Sequence, residues 1–472
     1  MTPRPVNRSA LNRAFRSAKS RGKFCTGEAG TLSDGVRLES AKIDIHREQF
    51  QVVRRVVVTG LGFISSIGNN KQAVLESLLT QRSGIELHPE LDLPISPVRL
   101  AGTIKGFTFP DSDQTTWTFP EGVSISRKEL RSMAPHVAYA QVAMHEAIAD
   151  GAIPPELISH PRTGVTSASS GSAMMLYKNM GKMLAKGPLR CHPFSLAASV
   201  AGTLNFNLVS IFKIRGASAG LISACSSSAH AFGYATDLIR QDRQDAMFVV
   251  GAEDVDLFSI LPFSGVRALT RGTDPTKTPC AFDVSRDGFA ASGGATVLFL
   301  EELEHARRRG AQIYAEAIGW GQSSDGYDVV APEPNGEGLA RAMNSALCDA
   351  QVDPSEVDYV NAHATATPLG DAAESRAIKA VFGKRSPLVS STKSQTGHAL
   401  SGAGALEAAI CSLAIREKFT PVSMNIRELD PVTEGLRIVT KPVDVAPRTV
   451  VSNSLAFGGA NVALVLREVP ES

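Results

Sequence analysis

Aromatic residues make up only 6% of the 472-residue chain, cysteines number six, and neither sign of charge dominates, with 48 Lys plus Arg against 47 Asp plus Glu. Each shortage excludes something. A formal charge of +1 gives no global field to hold nucleic acid or an anionic membrane, so a charged partner has to be met by a local patch. The cysteines, at 25, 191, 225, 280, 348 and 411, form no C-x-x-C pair and no cluster with histidine. That pattern speaks against structural zinc and a disulfide framework, and for a reducing compartment. No metal is expected. No apolar run approaches the ~18 residues that span a bilayer, so a soluble, cytoplasmic chain with no membrane partner is expected. The length allows two or three domains or one large layered unit.

Residues 1–50 differ from the rest. The first 23 carry seven basic side chains (Arg4, Arg8, Arg13, Arg16, Lys19, Arg21, Lys23) and no acid. With little apolar material, a disordered basic extension is expected. Lacking a hydrophobic core segment, it is no secretory signal; an organellar transit peptide and an upstream start are the two readings left open. Residues 1–50 hold ten basic and five acidic side chains, so the remaining 422 carry 38 against 42. The body is slightly acidic.

From Arg54 onward, short β-branched runs alternate with helical stretches. Val56 to Thr59 reads as a buried strand ended by Gly60, and similar runs stand at Met247–Gly251, Ala295–Leu300, Val357–Asn361 and Val462–Leu466. Val137–Ala149 and Gly404–Arg416 read as helices. The alternation indicates an α/β fold with mostly parallel sheets. A duplication is also visible: Ala147-Ile-Ala-Asp150-Gly-Ala-Ile153-Pro-Pro155 matches Ala346-Leu-Cys-Asp349-Ala-Gln-Val352-Asp-Pro354 at an offset of 199 residues, although helix-end chemistry alone can produce such a match. Three motifs are decoys. Gly60-x-Gly62 lacks the third glycine of a dinucleotide loop, Gly216-Ala-Ser218-Ala-Gly220 lacks the helix a nucleophile elbow needs directly after it, and His145-Glu146 has Ala149 where a zincin helix needs a second histidine.

Four segments carry chemistry. Leu221-Ile-Ser-Ala-Cys225-Ser-Ser-Ser228 reads as a strand end, a thiol and a helix start, a setting in which the helix N-terminus stabilises a thiolate; the plain alternative is an inert buried cysteine. His363 follows the strand at Val357–Asn361, and His398 in Thr396-Gly397-His398 opens a second helical stretch. An imidazole near a helix N-terminus is biased to its neutral form and can donate to a developing oxyanion, though a lone histidine is as readily structural. Asn453-Ser-Leu-Ala-Phe457-Gly458-Gly459-Ala-Asn461 is a glycine-rich turn between apolar strands. It serves either to bring a main-chain N–H to a carbonyl or simply to close a hairpin.

These segments, Ala224-Cys225-Ser-Ser-Ser, Asn361-Ala-His363-x-Thr-x-Thr-Pro-x-Gly-Asp, Ser391-Thr-Lys393-Ser-x-Thr-Gly-His398 and Asn453-Ser-x-x-Phe457-Gly-Gly-x-Asn, together resemble the beta-ketoacyl-[acyl-carrier-protein] synthases, most of all the synthase I branch. The resemblance implies a thiolase-like duplicated five-layered αβαβα fold, with halves at 51–305 and 306–472, and a homodimer. It implies Cys225, His363 and His398 as catalytic residues, acting in the decarboxylative condensation of an acyl thioester with malonyl-acyl-carrier protein during fatty-acid elongation. Phe457 would share an oxyanion hole with Cys225, and Lys393 and Glu374 would form a supporting pair orienting His398. Thr365 and Thr367 would hold the carrier's pantetheine, with Gly458 and Gly459 beside the substrate, and Gly171 would leave the acyl channel open. Arg127, Lys128 and Arg131 resemble a docking helix for the acidic acyl-carrier protein; a solvated helix face is the alternative. No cofactor is implied, since the substrates arrive on the carrier's phosphopantetheine. Ala364 and Ala456 stand where the family usually has glycine, which bears on acyl preference. Cys-Ser-Ser-Ser is reminiscent of polyketide synthases, so the same chemistry in a dedicated polyketide, polyene or lipid-modification pathway is an alternative. A further one is a noncatalytic partner subunit, against which the retained thiol and histidines argue.

Overall fold

A computed structural model describes residues 54–470; the basic extension at 1–50 lies outside the described residues. Eleven strands build the two main sheets: ten are shared between the halves, and a short one, Arg437–Ile438, pairs in parallel beyond Leu388–Ser390. In the first half they are β1 (Val56–Ile64), β2 (Thr163–Ala168), β3 (Ser218–Leu221), β4 (Ala246–Glu253) and β5 (Gly294–Glu302). In the second they are β6 (Ala315–Ser324), β7 (Tyr359–Asn361), β8 (Leu388–Ser390), β9 (Thr449–Leu455) and β10 (Ala460–Arg467). The first sheet runs β3-β2-β4-β5-β1 and the second β8-β7-β9-β10-β6. These five strands of one copy each have a counterpart in the other, Arg437–Ile438 alone having none. The directions repeat as well: β2 is parallel to β3 and β4, as β7 is to β8 and β9, while the last two pairings of each sheet are antiparallel. The duplication legible in the helix ends is therefore a duplication of topology. A short antiparallel contact, Val57 to Glu316 and Val58 to Ala315, joins the two sheets edge to edge.

Helices α1 (Pro135–Asp150), α2 (Ala173–Lys186), α3 (Thr203–Phe212), α4 (Ser227–Arg240), α5 (Glu337–Ala350), α6 (Pro368–Phe382) and α7 (Ala403–Arg416) complete the layers. Helix α1 covers β1 and β5 from outside, as α5 covers β6 and β10, while α4 and α7 lie against each other and touch strands of both sheets. This makes an αβαβα sandwich. The middle layer explains the composition of α7, in which every residue from Ala403 to Ile415 is buried: a helix between two sheets has no face left for water.

Two expectations need correction. The sheets are mixed rather than mostly parallel, since each carries two antiparallel pairings beside its parallel ones. β1 does not stop at Gly60 but continues to Ile64 through a bulge between Val58 and Gly60. A Cβ on Gly60 would stand 2.7 Å from Ala147 O, and one on Gly62 1.9 Å from Ala143 O. The same device recurs in the second copy, where Cβ atoms on Gly319 and Gly321 would lie 2.5 Å from Ala350 N and 2.3 Å from Ala342 O. These Gly-x-Gly pairs let the covering helix approach the strand backbone; they neither turn the chain nor hold a nucleotide.

Candidate active site

Cys225, His363 and His398 come from three separate stretches and meet between the halves. The chain leaves β3, turns through Ala224 at φ 49°, and presents Cys225 two residues before α4. His398 Nε2 lies 3.1 Å from Cys225 Sγ. The His363 and His398 rings are 5.2 Å apart at 83°, and the edge of Phe289 meets His398 at 4.9 Å. His363 follows β7 directly. His398 lies in the link between the short helix Lys393–Thr396 and α7, two residues before the 3₁₀ turn Leu400–Gly402 that runs straight into α7. Its backbone there is pinned by His398 N–H donating to Ala290 O (2.8 Å) and Ser292 N–H donating to His398 O (2.9 Å).

The electrostatics differ from the expectation for the thiol. Burial pushes Cys225 up to about 12, and the nearby Lys393 ammonium offsets only part of that. Burial is the largest influence on the group and favours the thiol form. Both histidines are held well below their ordinary 6.5, first by burial and then by Lys393. They are neutral imidazoles at pH 7.

Lys393 is not paired with Glu374. Its Nζ meets Glu407 of α7, and both side chains are buried. Glu374, on α6, instead accepts from the N–H groups of His363 (2.9 Å) and Ala364 (2.7 Å) and from Asn453 Nδ2 (3.1 Å), so it fixes the loop that carries His363. Glu407 is the functional neighbour that sequence reasoning missed. Its signal was present as the one acid in α7, whose other charged residue, Arg416, stands at its very end.

A narrow pocket of about 70 Å³ opens onto the thiol, lined by His363, His398, Thr365, Thr367, Phe263 and Phe457, among others. Thr365 Oγ1 and Thr367 Oγ1 are 3.1 Å apart. Gly171, Gly458 and Gly459 do not line it. Gly171 has φ 87° and a Cβ there would meet Ala201 Cα at 3.0 Å, so packing and backbone conformation require that glycine. Gly458 (φ 79°) and Gly459 (φ 70°) shape the turn that presents Phe457. Ala456, at φ −133° and ψ 156°, sits in ordinary extended backbone and strains nothing. Cys225, His363 and His398 could each offer a ligand atom to one metal ion, their donor atoms lying within 4.8 Å of one another. Such an ion would occupy the sulfur that the chemistry needs.

Arg127, Lys128 and Arg131 lie elsewhere, on and just after a single helical turn closed by the Ser126–Glu129 capping box. They line a groove of about 830 Å³ together with Lys182, Lys186 and Arg190. Three basic residues from the end of α2 and the turn after it thus join the three expected from sequence.

Residues 53–306 match the beta-ketoacyl synthase N-terminal domain and residues 314–427 the C-terminal domain. The chain belongs to the beta-ketoacyl synthase family. It is 42% identical over 420 residues to 3-oxoacyl-[acyl-carrier-protein] synthase 1 of Haemophilus influenzae, covering 88% of this chain and 99% of that one. It is 40% identical over 425 residues to the Escherichia coli K12 protein of the same name, covering 89% and 100%. Among solved structures, a beta-ketoacyl synthase from Burkholderia phymatum superposes with a TM-score of 0.80 at 34% identity, covering 88% of this synthase and all of that one. The thiolase-like fold is shared over nearly the whole described body.

Proposed function

We propose that this synthase catalyses the decarboxylative condensation of an acyl thioester with malonyl-acyl-carrier protein in fatty-acid elongation. One observation carries the reading: a buried thiol 3.1 Å from one imidazole, with a second imidazole beside it and both held neutral. Cys225 Sγ attacks the carbonyl of an acyl-carrier thioester, and its proton passes to the pantetheine sulfur as that departs. The N–H groups of Cys225 and Phe457 stabilise the oxyanion. Malonyl-carrier protein then binds, with Thr365 and Thr367 against its pantetheine. His363 and His398 donate to the thioester oxygen as carbon dioxide leaves, and the enolate carbon attacks the acyl-Cys225 carbonyl. The new carbon–carbon bond expels the thiolate, which is reprotonated. Loss of carbon dioxide generates the carbanion, so the reaction uses no strong base and no cofactor.

Neutral imidazoles suit this step because they donate a hydrogen bond without fixing a permanent charge. The six-cation groove is the surface that an acidic carrier fits, since complementary charge sets encounter rate and orientation. A homodimer accords with the outer edge of the first sheet, where Ser218–Gly220 of β3 is exposed and such an edge is normally covered; Leu189, Leu196 and Phe206 are exposed as well. The described cysteines are all free, in keeping with the cytoplasm. The deciding experiment follows carbon dioxide release and 3-oxoacyl product separately. Cys225→Ala should abolish condensation yet still decarboxylate malonyl-carrier protein, and His363→Ala should lose both. Undiminished carbon dioxide release in His363→Ala would sink the assignment.

A further inference from the structure

A catalytic histidine is usually aimed by a partner on its second ring nitrogen. His398 has none: Nδ1 is buried without a protein partner. Its direction over Cys225 therefore depends on the backbone. On one side the ties are the bonds to Ala290 and Ser292. On the other, three residues on, stands Ser401, whose N–H (3.3 Å) and Oγ both donate to Oε1 of Glu253. Glu253 is the last residue of β4 and is 3% exposed. The same oxygen accepts from Ser170 N–H (3.0 Å) and Ser170 Oγ (2.6 Å), in the loop that leads through Gly171 into α2. One buried carboxylate oxygen thus gathers four donors from two segments that are 231 residues apart in sequence.

We infer that Glu253 is a positioning residue, which anchors the His398 link to the Ser169–Gly171 loop and thereby fixes the His398 ring over Cys225. The proposal rests on the role given to His398 above. Its physical content is that removing the carboxylate leaves the two buried donors of Ser401 without an acceptor and cuts the tie to Ser170, which is exposed and can turn to water, so the link that holds His398 relaxes. A shift of about 1 Å at a catalytic group costs on the order of 100-fold in rate.

The test measures 3-oxoacyl-carrier formation for the wild type, Glu253→Ala, Glu253→Gln, Ser401→Ala and the Glu253→Ala/Ser401→Ala double variant, with the thermal midpoint of each. Glu253→Ala should lower kcat about 100-fold with the KM for malonyl-carrier protein nearly unchanged. Glu253→Gln, which keeps an acceptor at the same place, should recover most of that loss. Ser401→Ala should lower kcat several-fold alone and add nothing in the Glu253→Ala background, the mark of two residues acting through one contact. Wild-type turnover in Glu253→Ala, or fully additive losses, overturns the inference. If Glu253→Ala fails to fold, Ser401→Ala decides alone: a folded variant with undiminished kcat overturns it. A wild-type protein that forms no condensation product would instead discard the proposed function itself.

Discussion

Replacing Lys393 by methionine keeps the length of the side chain and removes its charge from a site where it is 2% exposed. What remains is Glu407, also 2% exposed, whose Oε2 already lacks a partner. Breaking a buried pair by removing one member costs roughly 3–5 kcal/mol, because the other charge is left unsolvated. Glu407 has an escape, since burial raises its carboxyl to about 7 from 4.5 even with Lys393 present, which corresponds to about 3 kcal/mol against ionisation. Without the lysine it rises further and stays protonated in the folded protein. A carboxyl whose folded pKa exceeds its unfolded value contributes stability below the unfolded pKa and loses it as pH rises through the folded one. In the wild type that loss ends near pH 7, where Glu407 ionises against Lys393. In Lys393→Met it continues upward, so the deficit relative to wild type should widen by about 1.4 kcal/mol per pH unit from 7 to 9. Urea unfolding at fixed protein concentration measures it. Lys393→Met/Glu407→Gln should remove the pH dependence and recover part of the stability. A deficit independent of pH, or a double variant no better than the single one, would refute the reasoning.

Other consequences can be checked in the same preparations. Because burial holds Cys225 near 12, its alkylation by iodoacetamide, followed by mass spectrometry, should climb about tenfold per pH unit between 7 and 9; a plateau in that interval would contradict a resting thiol. Zinc ions should inhibit by capturing Cys225, His363 and His398, with activity restored by EDTA, whereas EDTA alone should leave turnover unaltered. Inactivation by EDTA alone would instead reveal a required metal. Lys182→Glu with Lys186→Glu should raise the KM for the carrier about tenfold with kcat held, and should flatten the fall of kcat/KM with added salt. An unchanged KM would move the docking surface away from this groove.

Much of the site was legible because its chemistry is written in local segments. Cys225, His363, His398 and Phe457 each stand in a short run whose residue types suit one task, and the fold assembles those runs in one pocket. The body was legible for a similar reason: α/β alternation and a repeated helix end are local signals, and the repeated strand order is their consequence in space. What escaped was every choice of partner across the fold. Glu374, on α6, is taken up by the backbone N–H groups of His363 and Ala364, while α7 brings Glu407 over Lys393. Glu253 at the end of a strand looked like any strand terminus until Ser170 and Ser401 closed on it from two sides. For the thiol, a helix terminus can be seen in sequence and the depth of burial cannot, and burial is the largest influence among those that set it. The same burial that suppresses the thiolate also keeps both imidazoles neutral, so the cost to the nucleophile and the benefit to the enolate come from one physical cause. A site opened to water to ease the thiolate would let its histidines return toward 6.5 and carry a charge part of the time, and a charge already in place is what the enolate step does without.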